Sequence, residues 1–369
     1  MKKFCFLFVC LFGYLELAAV TRAQGFIKPV GNMPEYNGMY KGSPFTGSAV
    51  YTTLYRDNQD NGGRGGCRGE GCGRHPGVDI AVPSGTTVVT PLSGTIMISR
   101  CDNAWGGLVV IKSTHPSRSW ENIFQVFGHL KAREYSNGIA LKVGDFVVAG
   151  TVIGRSGGKG GSDPCSGNST GSHLHYQIDK DDGNSEPWYP NPSLLNYRDD
   201  DFQVMNNTYN PIVLLQGGYR WKFAENNNRE LWDIFNLQSW GVGNNAMWMD
   251  GNIDPYVKRG GVTNCGLSKP CSSSIASEAQ DFPFVYLDAA SQCASSSAKI
   301  YFTTKDENFW DENKSIPFTI SNLRGFRGLI QMNRNPKWQG IVTGIRIDPA
   351  ENCASSFDPI YFGEIALQR

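Results

Sequence analysis

Short runs of alternating hydrophobic and polar residues recur along the first half of the chain, with turn residues between them. This spacing is typical of antiparallel strands in a sandwich or an open barrel. No longer window shows the period of an amphipathic helix. The predicted strands cover residues 48–55, 86–91, 94–99, 108–113, 122–130, 143–148, 151–155 and 173–179.

A second set of such runs follows an acidic, asparagine-rich stretch over residues 196–210, which we interpret as a linker. The composition changes after it, and no histidine occurs between residues 211 and 369. The predicted strands there cover residues 212–215, 299–304, 316–320, 340–347 and 359–367. We therefore predict an all-β protein. An antiparallel domain over residues 24–195, with its core at about 45–190, precedes a β-sandwich module over residues 211–369.

The first 23 residues have the pattern of a signal peptide. Lys2 and Lys3 precede an apolar stretch that runs to Leu15, and small residues around Ala23 offer a cleavage site. No later stretch is long and apolar enough to span a bilayer. We expect an exported protein, secreted or held in the periplasm or cell envelope, whose mature chain has no transmembrane segment.

Cysteine usage agrees with export. Two of the ten cysteines lie in the predicted signal peptide, and the even number that remains indicates disulfides. A cysteine-bound zinc is the alternative, but the chain has no Cys-x-x-Cys pair. The polar, glycine-rich loop over residues 57–74 carries Cys67 and Cys72, and a bridge between them would order it. A phosphate-binding loop is a rival interpretation that we discount, since no helix pattern follows.

The charge of the chain bears on whether a nucleic-acid partner is expected. The 34 basic and 34 acidic residues balance to a net charge of zero. There is no basic stripe or arginine-rich tail, so the sequence gives no reason to expect a nucleic-acid partner.

Two of the five histidines stand close together in Ser172-His173-Leu174-His175. Alternate side chains of a strand share a face, so both imidazoles point into one space, about 7 Å apart. Two hydrogen-bonded strand histidines would give the same pattern, so the pair alone does not establish a metal site.

A histidine and a carboxylate occur four residues apart upstream, in His75-Pro-Gly-Val-Asp79. Pro76 and Gly77 argue against a helix, so a turn that enters a strand presents this pair. Histidine with carboxylate suits zinc, and a third protein ligand with one open position would make such a site catalytic. His115, a loop histidine before proline, is more typical of a structural or solvated residue. A serine triad built on Ser172 lacks the expected sequence around the nucleophile.

Three motifs in order resemble the lysostaphin-like (LytM-type) zinc metallo-endopeptidases. They are His75-Pro-Gly-Val-Asp79, Phe127-Gly-His129-Leu130 and Ser172-His173-Leu174-His175. The resemblance covers about residues 45–190 and is strongest to the secreted β-lytic and elastolytic branch. It implies that His75, Asp79 and His175 bind Zn²⁺, and that His129 and His173 are the unliganded catalytic residues. It also implies a Cys101–Cys165 disulfide.

The end of the chain, over residues 338–349 and 360–367, resembles the closing strands of galactose-binding-type β-sandwich modules. That resemblance implies a polysaccharide partner, with aromatic core packing as the alternative role of each aromatic residue. The simplest remaining cysteine pairings are Cys265–Cys271 and Cys293–Cys353.

Three functions follow from these observations. The first is an exported zinc endopeptidase that cuts peptide cross-links in bacterial peptidoglycan. The second is the same chemistry on glycine-rich protein such as elastin. The third is a catalytically inactive protein that binds the cell surface or cell wall.

Overall fold

The computed structural model describes residues 26–38, 49–57, 74–131, 141–158, 165, 167–183, 185–189, 203–230, 232–260, 275–291, 296–321, 325–349 and 359–369. The predicted signal peptide and the cysteines Cys67, Cys72, Cys265, Cys271, Cys293 and Cys353 lie outside these residues. The all-β prediction is confirmed, since two large antiparallel sheets account for most of the described chain.

The first half forms a nine-stranded sheet and a separate strand pair, β3 with β8. The main path of the sheet runs β1-β2-β10-β6-β5-β4-β7, and β9 and β11 also pair with β10. The strands are β1 (Val50–Thr53), β2 (Gly77–Ala81), β3 (Thr87–Val89), β4 (Gly94–Asp102), β5 (Gly106–His115), β6 (Arg118–Leu130), β7 (Phe146–Val147), β8 (Val152–Arg155), β9 (Gly157–Gly158), β10 (Ser172–Lys180) and β11 (Thr208–Tyr209).

The second half forms a ten-stranded sheet whose main path runs β18-β17-β20-β14-β21-β16-β19. The two ends of this path, β18 and β19, contact each other, so the sheet curls around its core. Its strands are β12 (Gly218–Trp221), β13 (Asp233–Gly243), β14 (Ala246–Gly260), β15 (Ser277–Glu278), β16 (Phe284–Ser291), β17 (Ser296–Thr304), β18 (Ser315–Ile320), β19 (Phe326–Gln331), β20 (Ile341–Asp348) and β21 (Pro359–Gln368).

Helices are few and short in the described residues. A helix α1 covers residues 203–207, and α2 covers Pro211–Gln216. Single 3₁₀ turns occur at Ala279–Asp281, Glu312–Lys314 and Met332–Arg334. None of the described helices has the length and apolar character needed to cross a membrane.

The predicted strand over residues 212–215 is wrong, because this segment is α2. Asn210 caps its first turn by accepting a hydrogen bond from the Val213 N–H, and Pro211 occupies the first turn, where proline is tolerated. Gly217 ends the helix in the left-handed conformation, which glycine adopts without steric cost. A short apolar run has no readable period, so these end signals were the only sequence evidence for a helix.

The stretch predicted as a linker over residues 196–210 carries regular structure where it is described. It contains α1 and then β11, which pairs with β10 of the first sheet. Buried apolar residues of both halves form one continuous cluster, which includes Tyr55, Tyr209 and Phe282. The chain therefore passes into its second half along the surface of the first sheet.

Candidate metal centre and active site

Two neighbouring central strands, β2 and β10, present the metal-ligand candidates. Their antiparallel register places Asp79 directly opposite His175 and Ala81 opposite His173. Paired residues share a face of the sheet, so Asp79, His173 and His175 all point to the same side. His75 lies just before β2, where its backbone exchanges hydrogen bonds with Arg56 and Asp57. As predicted, His75 lies in a non-helical segment that leads into the strand of Asp79, but this segment is irregular and is not a turn.

The three predicted ligands meet at one point. His75 Nε2 lies 3.1 Å from His175 Nδ1 and 3.3 Å from Asp79 Oδ1, and His175 Nδ1 lies 3.0 Å from Asp79 Oδ1. A four-coordinate zinc with bonds of about 2.0–2.1 Å places its ligand atoms roughly 3.3 Å apart. The residues are 2 %, 8 % and 5 % exposed for His75, Asp79 and His175. The donor set and its spacing therefore fit zinc.

Asp79 is ready to act as an anionic ligand. Burial by itself would raise the pKa of its carboxyl group. When no metal is bound, the charge of protonated His75, followed by the hydrogen bonds that both histidines donate and the charge of His175, outweighs that effect and holds the pKa of Asp79 well below its ordinary value. The carboxylate is therefore ionised at neutral pH.

The tautomer of His75 is fixed by a backbone partner. Its Nδ1 lies 3.0 Å from the carbonyl oxygen of Leu54, which can only accept a hydrogen bond. Nδ1 therefore carries the proton, and Nε2 is left unprotonated on the side of the metal centre. Sequence reasoning missed Leu54, because a backbone carbonyl has no side-chain signature.

The two remaining motif histidines stand beside the ligands. The rings of His129 and His173 have centroids 4.7 Å apart, and the centroid of His129 lies 6.2 Å from that of His175. His173 Nδ1 lies 3.1 Å from the Gly171 carbonyl oxygen, so Nδ1 is the donor and Nε2 the acceptor. That Nε2 lies 3.7 Å from Asp79 Oδ1, on the side of the metal centre.

His129 is held neutral in an unusual backbone position. Its φ is +58°, a left-handed conformation that non-glycine residues adopt only when the surroundings enforce it. The His129 N–H donates to the Trp105 carbonyl at 2.7 Å, and Nδ1 of the ring is buried without a hydrogen-bond partner. Burial, followed by the neighbouring histidines, lowers the pKa of His129 to about 3.

Two aromatic side chains lie next to the metal centre. The Trp105 ring has its centroid 5.1 Å from that of His175 and 5.2 Å from that of Tyr189, which is largely exposed. Sequence reasoning missed both residues. The Asp102 carboxylate, which accepts from the N–H groups of Ala104 and Trp105, shapes the turn that carries the indole.

The predicted Cys101–Cys165 disulfide is present. It ties the end of β4 to the segment that precedes His173. Backbone hydrogen bonds reinforce this link, from the Gly107 N–H to the Cys165 carbonyl at 3.2 Å and from the Asn168 N–H to the Ala104 carbonyl at 2.9 Å.

The other candidates do not join the centre. His115 is buried against Arg118 and Tyr209, and its Nε2 lies 3.5 Å from Asp281. His115 therefore has a structural role, where the two halves of the chain pack against each other. Alternation along β10 puts Ser172 on the face opposite His173, so the geometry does not support a serine triad.

Comparison with known proteins gives one family match. The model of peptidase family M23 matches residues 73–187, which contain all five motif residues of the centre.

Similar solved structures include the catalytic domain of the antimicrobial peptidase lysostaphin from Staphylococcus simulans. It is 33 % identical over 28 % of this chain and 65 % of that one, with a TM-score of 0.22. A variant catalytic domain of the prophage-encoded M23 protein EnpA from Enterococcus faecalis is 27 % identical, and the match covers 43 % of this chain and 97 % of that one, with a TM-score of 0.28. A zinc-containing peptidase from Vibrio cholerae is 26 % identical, and the match covers 28 % of this chain and 26 % of that one, with a TM-score of 0.22. The chain thus spans under two thirds of the length of the lysostaphin and Vibrio structures.

Proposed function

We propose, because the model of peptidase family M23 matches residues 73–187, that the protein is an exported zinc endopeptidase acting on peptidoglycan cross-links. The observation that carries the proposal is the buried triangle of His75 Nε2, Asp79 Oδ1 and His175 Nδ1, with sides of 3.0–3.3 Å. His129 and His173, which supply no ligand atom, stand beside it.

Zinc bound by these three residues would polarise the scissile carbonyl and lower the pKa of a bound water. The chain supplies the proton chemistry. His173 offers an unprotonated Nε2 on the side of the centre, where it accepts a proton from the attacking water and returns it to the leaving amine. His129 stands next to it and donates to the developing oxyanion.

Substrate binding falls to the open side of the centre. We assign it to the side on which the Trp105 ring packs against His175 and the exposed Tyr189 ring packs against Trp105. The family resemblance implies a groove that suits small or glycine-rich backbone segments. Peptidoglycan cross-links and elastin both meet this description, and the second remains the alternative substrate. The placement in the β-lytic and elastolytic branch also remains a prediction. Hydrolysis of purified cell wall against elastin, measured by zymography, separates the two.

A catalytically inactive binding protein is the weaker alternative, because all five motif residues are present and brought together. We also propose that residues 211–369 hold the enzyme on an insoluble polysaccharide. Pelleting of the full chain carrying His175→Ala with purified wall, with and without soluble competing glycan, tests this. A chain that stays in the supernatant would remove the targeting proposal.

Substitution of a metal ligand and substitution of an unliganded histidine should have different effects on zinc content and on rate. His75→Ala, Asp79→Ala or His175→Ala should lose bound zinc and wall hydrolysis together. His129→Ala and His173→Ala should keep their zinc and turn over about 10²–10⁴-fold more slowly, because only general acid–base help is lost. Zinc content by atomic spectroscopy and rate on purified wall check both.

His115→Ala is the control, since it removes a buried histidine outside the centre and should retain zinc. If His173→Ala empties the site while His175→Ala keeps its metal, the assignment of the pair is reversed. A wild-type chain without zinc, or one whose hydrolysis survives chelation, would refute the proposed function.

A further inference from the structure

We infer that Gln177 and Asp179 are positioning residues that determine which ring nitrogen of His175 faces the metal centre, an inference that rests on the proposed zinc chemistry. All three residues lie at alternate positions of β10 and so share one face of the sheet. Gln177 is completely buried and Asp179 is 3 % exposed.

The orientation of the Gln177 amide follows from two acceptors on one side of it. Its Nε2 donates to the Asp179 carboxylate and, at 3.0 Å, to the Trp188 carbonyl oxygen. The Trp188 carbonyl can only accept, so the NH₂ group must lie on this side whatever the protonation state of Asp179. The other end of the amide, Oε1, is thereby turned toward His175.

The state of His175 follows from that orientation. Its Nε2 lies 3.0 Å from Gln177 Oε1, which cannot donate, so Nε2 carries the proton. When one ring nitrogen of a metal-binding histidine holds its proton in a hydrogen bond, the other is free for the metal. Here the other nitrogen is Nδ1, the atom that completes the triangle with His75 and Asp79.

Asp179 is held in place by a further bond. Its Oδ2 accepts the Trp188 N–H at 2.9 Å, so both oxygens of the buried carboxyl group are engaged. Trp188 thus holds the carboxylate through its N–H and the Gln177 amide through its carbonyl. Hydrogen bonds thus connect Asp179 to Gln177 and Gln177 to His175, whose other ring nitrogen faces the metal centre.

A purely structural role for a buried glutamine can be separated from this one, because the same sheet contains a matched residue. Gln125 of β6 is also completely buried and donates to Ser113 Oγ at 2.8 Å and to the Leu92 carbonyl at 3.0 Å. It accepts from the Tyr176 hydroxyl, and none of its hydrogen bonds among the described residues involves a histidine. Gln125→Met therefore removes a comparable amide without touching the metal centre.

The experiment compares Gln177→Met, Gln177→Glu, Asp179→Asn and Gln125→Met in the full chain. Zinc affinity is measured by competition with a chromophoric chelator. The metal-bound nitrogen of His175 is identified from ¹⁵N-histidine spectra of the zinc-loaded protein.

Gln177→Met should weaken zinc binding by about 10–100-fold, because nothing then holds the proton on Nε2. Gln177→Glu keeps an acceptor for the Nε2 proton of His175 and should retain more affinity than Gln177→Met, although its second oxygen replaces the NH₂ group from which Asp179 and the Trp188 carbonyl accept. Asp179→Asn should lie between them, since the Trp188 carbonyl still orients the amide. Gln125→Met should lose thermal stability and keep its zinc affinity. The wild-type spectrum should show Nδ1 bound to metal.

Equal affinity of Gln177→Met and wild type would overturn the inference and leave the zinc enzyme intact. So would an equal loss in Gln125→Met, or coordination of zinc through Nε2. If Gln177→Met does not fold, the wild-type spectrum still tests the inference, because zinc bound through Nε2 of His175 would overturn it. A wild type that binds no zinc refutes the proposed function, and the inference with it.

Discussion

Asp179 keeps a carboxyl group inside the first sheet, where ionisation is costly. Burial raises the pKa of Asp179 to about 7, and the hydrogen bonds from Gln177 and Trp188 only partly oppose that rise. In the unfolded chain the same carboxyl group titrates near its ordinary value of 3.8. Between these two pH values the folded protein therefore holds a proton that the unfolded chain has released.

The sign of the pH dependence follows. Because the folded-state pKa is raised, the stabilisation from proton binding is complete below about pH 4 and is lost as the pH rises through about 7. We expect the unfolding free energy of wild type, relative to Asp179→Asn, to fall from pH 4 to pH 7. Urea unfolding of both proteins in the presence of a chelator measures this. A difference that stays constant over that range would contradict the raised pKa.

At the scale of residues, the motifs predicted the ligand triangle and the two histidines beside it. They did so because each motif residue acts through its side chain. The partners that orient the rings were not predictable in the same way. Leu54 acts through its backbone. Trp105 is a turn residue whose partner His175 lies far away in sequence. Gln177 lies only two residues from His175, but an amide side chain has no metal-ligand signature of its own.

At the scale of elements, the centre depends on the close pairing of β2 with β10. Gly77 lies opposite Gln177, and a Cβ built at this glycine would come 2.4 Å from the Tyr176 carbonyl oxygen. Any side chain there must push β2 away from β10, and with it Asp79 away from His175. The absence of a side chain at this position is thus part of the ligand geometry.

We expect Gly77→Ala to lower the unfolding free energy by about 1–3 kcal/mol, as overpacking of a sheet interior does. It should also weaken zinc binding by at least about tenfold, by analogy with other displaced ligand supports. Gly328→Ala in β19 is the control, since its Cβ would meet nothing closer than 3.8 Å. Calorimetry and chelator competition measure both effects. Unchanged zinc affinity in Gly77→Ala would show that the strand spacing is not critical.

Strand β10 extends only one residue beyond the predicted range at each end. The strands β12, β16 and β19 were not predicted, although buried and less buried positions alternate along β16. The long hairpin of β13 and β14 was missed, since glycine, asparagine and aspartate interrupt its alternation. The helix α2 was assigned to the wrong class because its apolar run is four residues long and its caps lie outside that run.

At the scale of the whole molecule, a buried ion pair joins the first sheet to the 3₁₀ turn Ala279–Asp281 of the second half. Arg118 of β6 donates to Asp281 of the second half at 3.1 Å and to the Tyr209 hydroxyl at 2.8 Å. Lys180 and Glu278 form a second pair across the same contact, at 2.7 Å. The sequence showed the composition change between the halves but gave no sign of these contacts, which link residues far apart in the chain.

Removing the acidic partner should therefore destabilise the assembled molecule. We expect Asp281→Ala to cost about 3 kcal/mol of unfolding free energy, the lower end for a broken buried pair, because Glu121 still faces Arg118. Asp288→Ala breaks an exposed pair with Arg327 and should cost under about 1 kcal/mol. Urea unfolding of both variants makes the comparison. Equal losses would mean that the two sheets do not depend on this contact.

The Cys101–Cys165 bridge has a consequence beyond the loop that it anchors. It closes a segment of 64 residues that contains β5 to β9 and His129. In the chain-entropy model a loop of this length restricts the unfolded ensemble by on the order of 4 kcal/mol. A newly made chain in a reducing compartment lacks that restriction and spends more time open to proteases. We therefore expect resistance to proteolysis to rise on oxidation, which would couple the lifetime of the protein to the redox state of its surroundings.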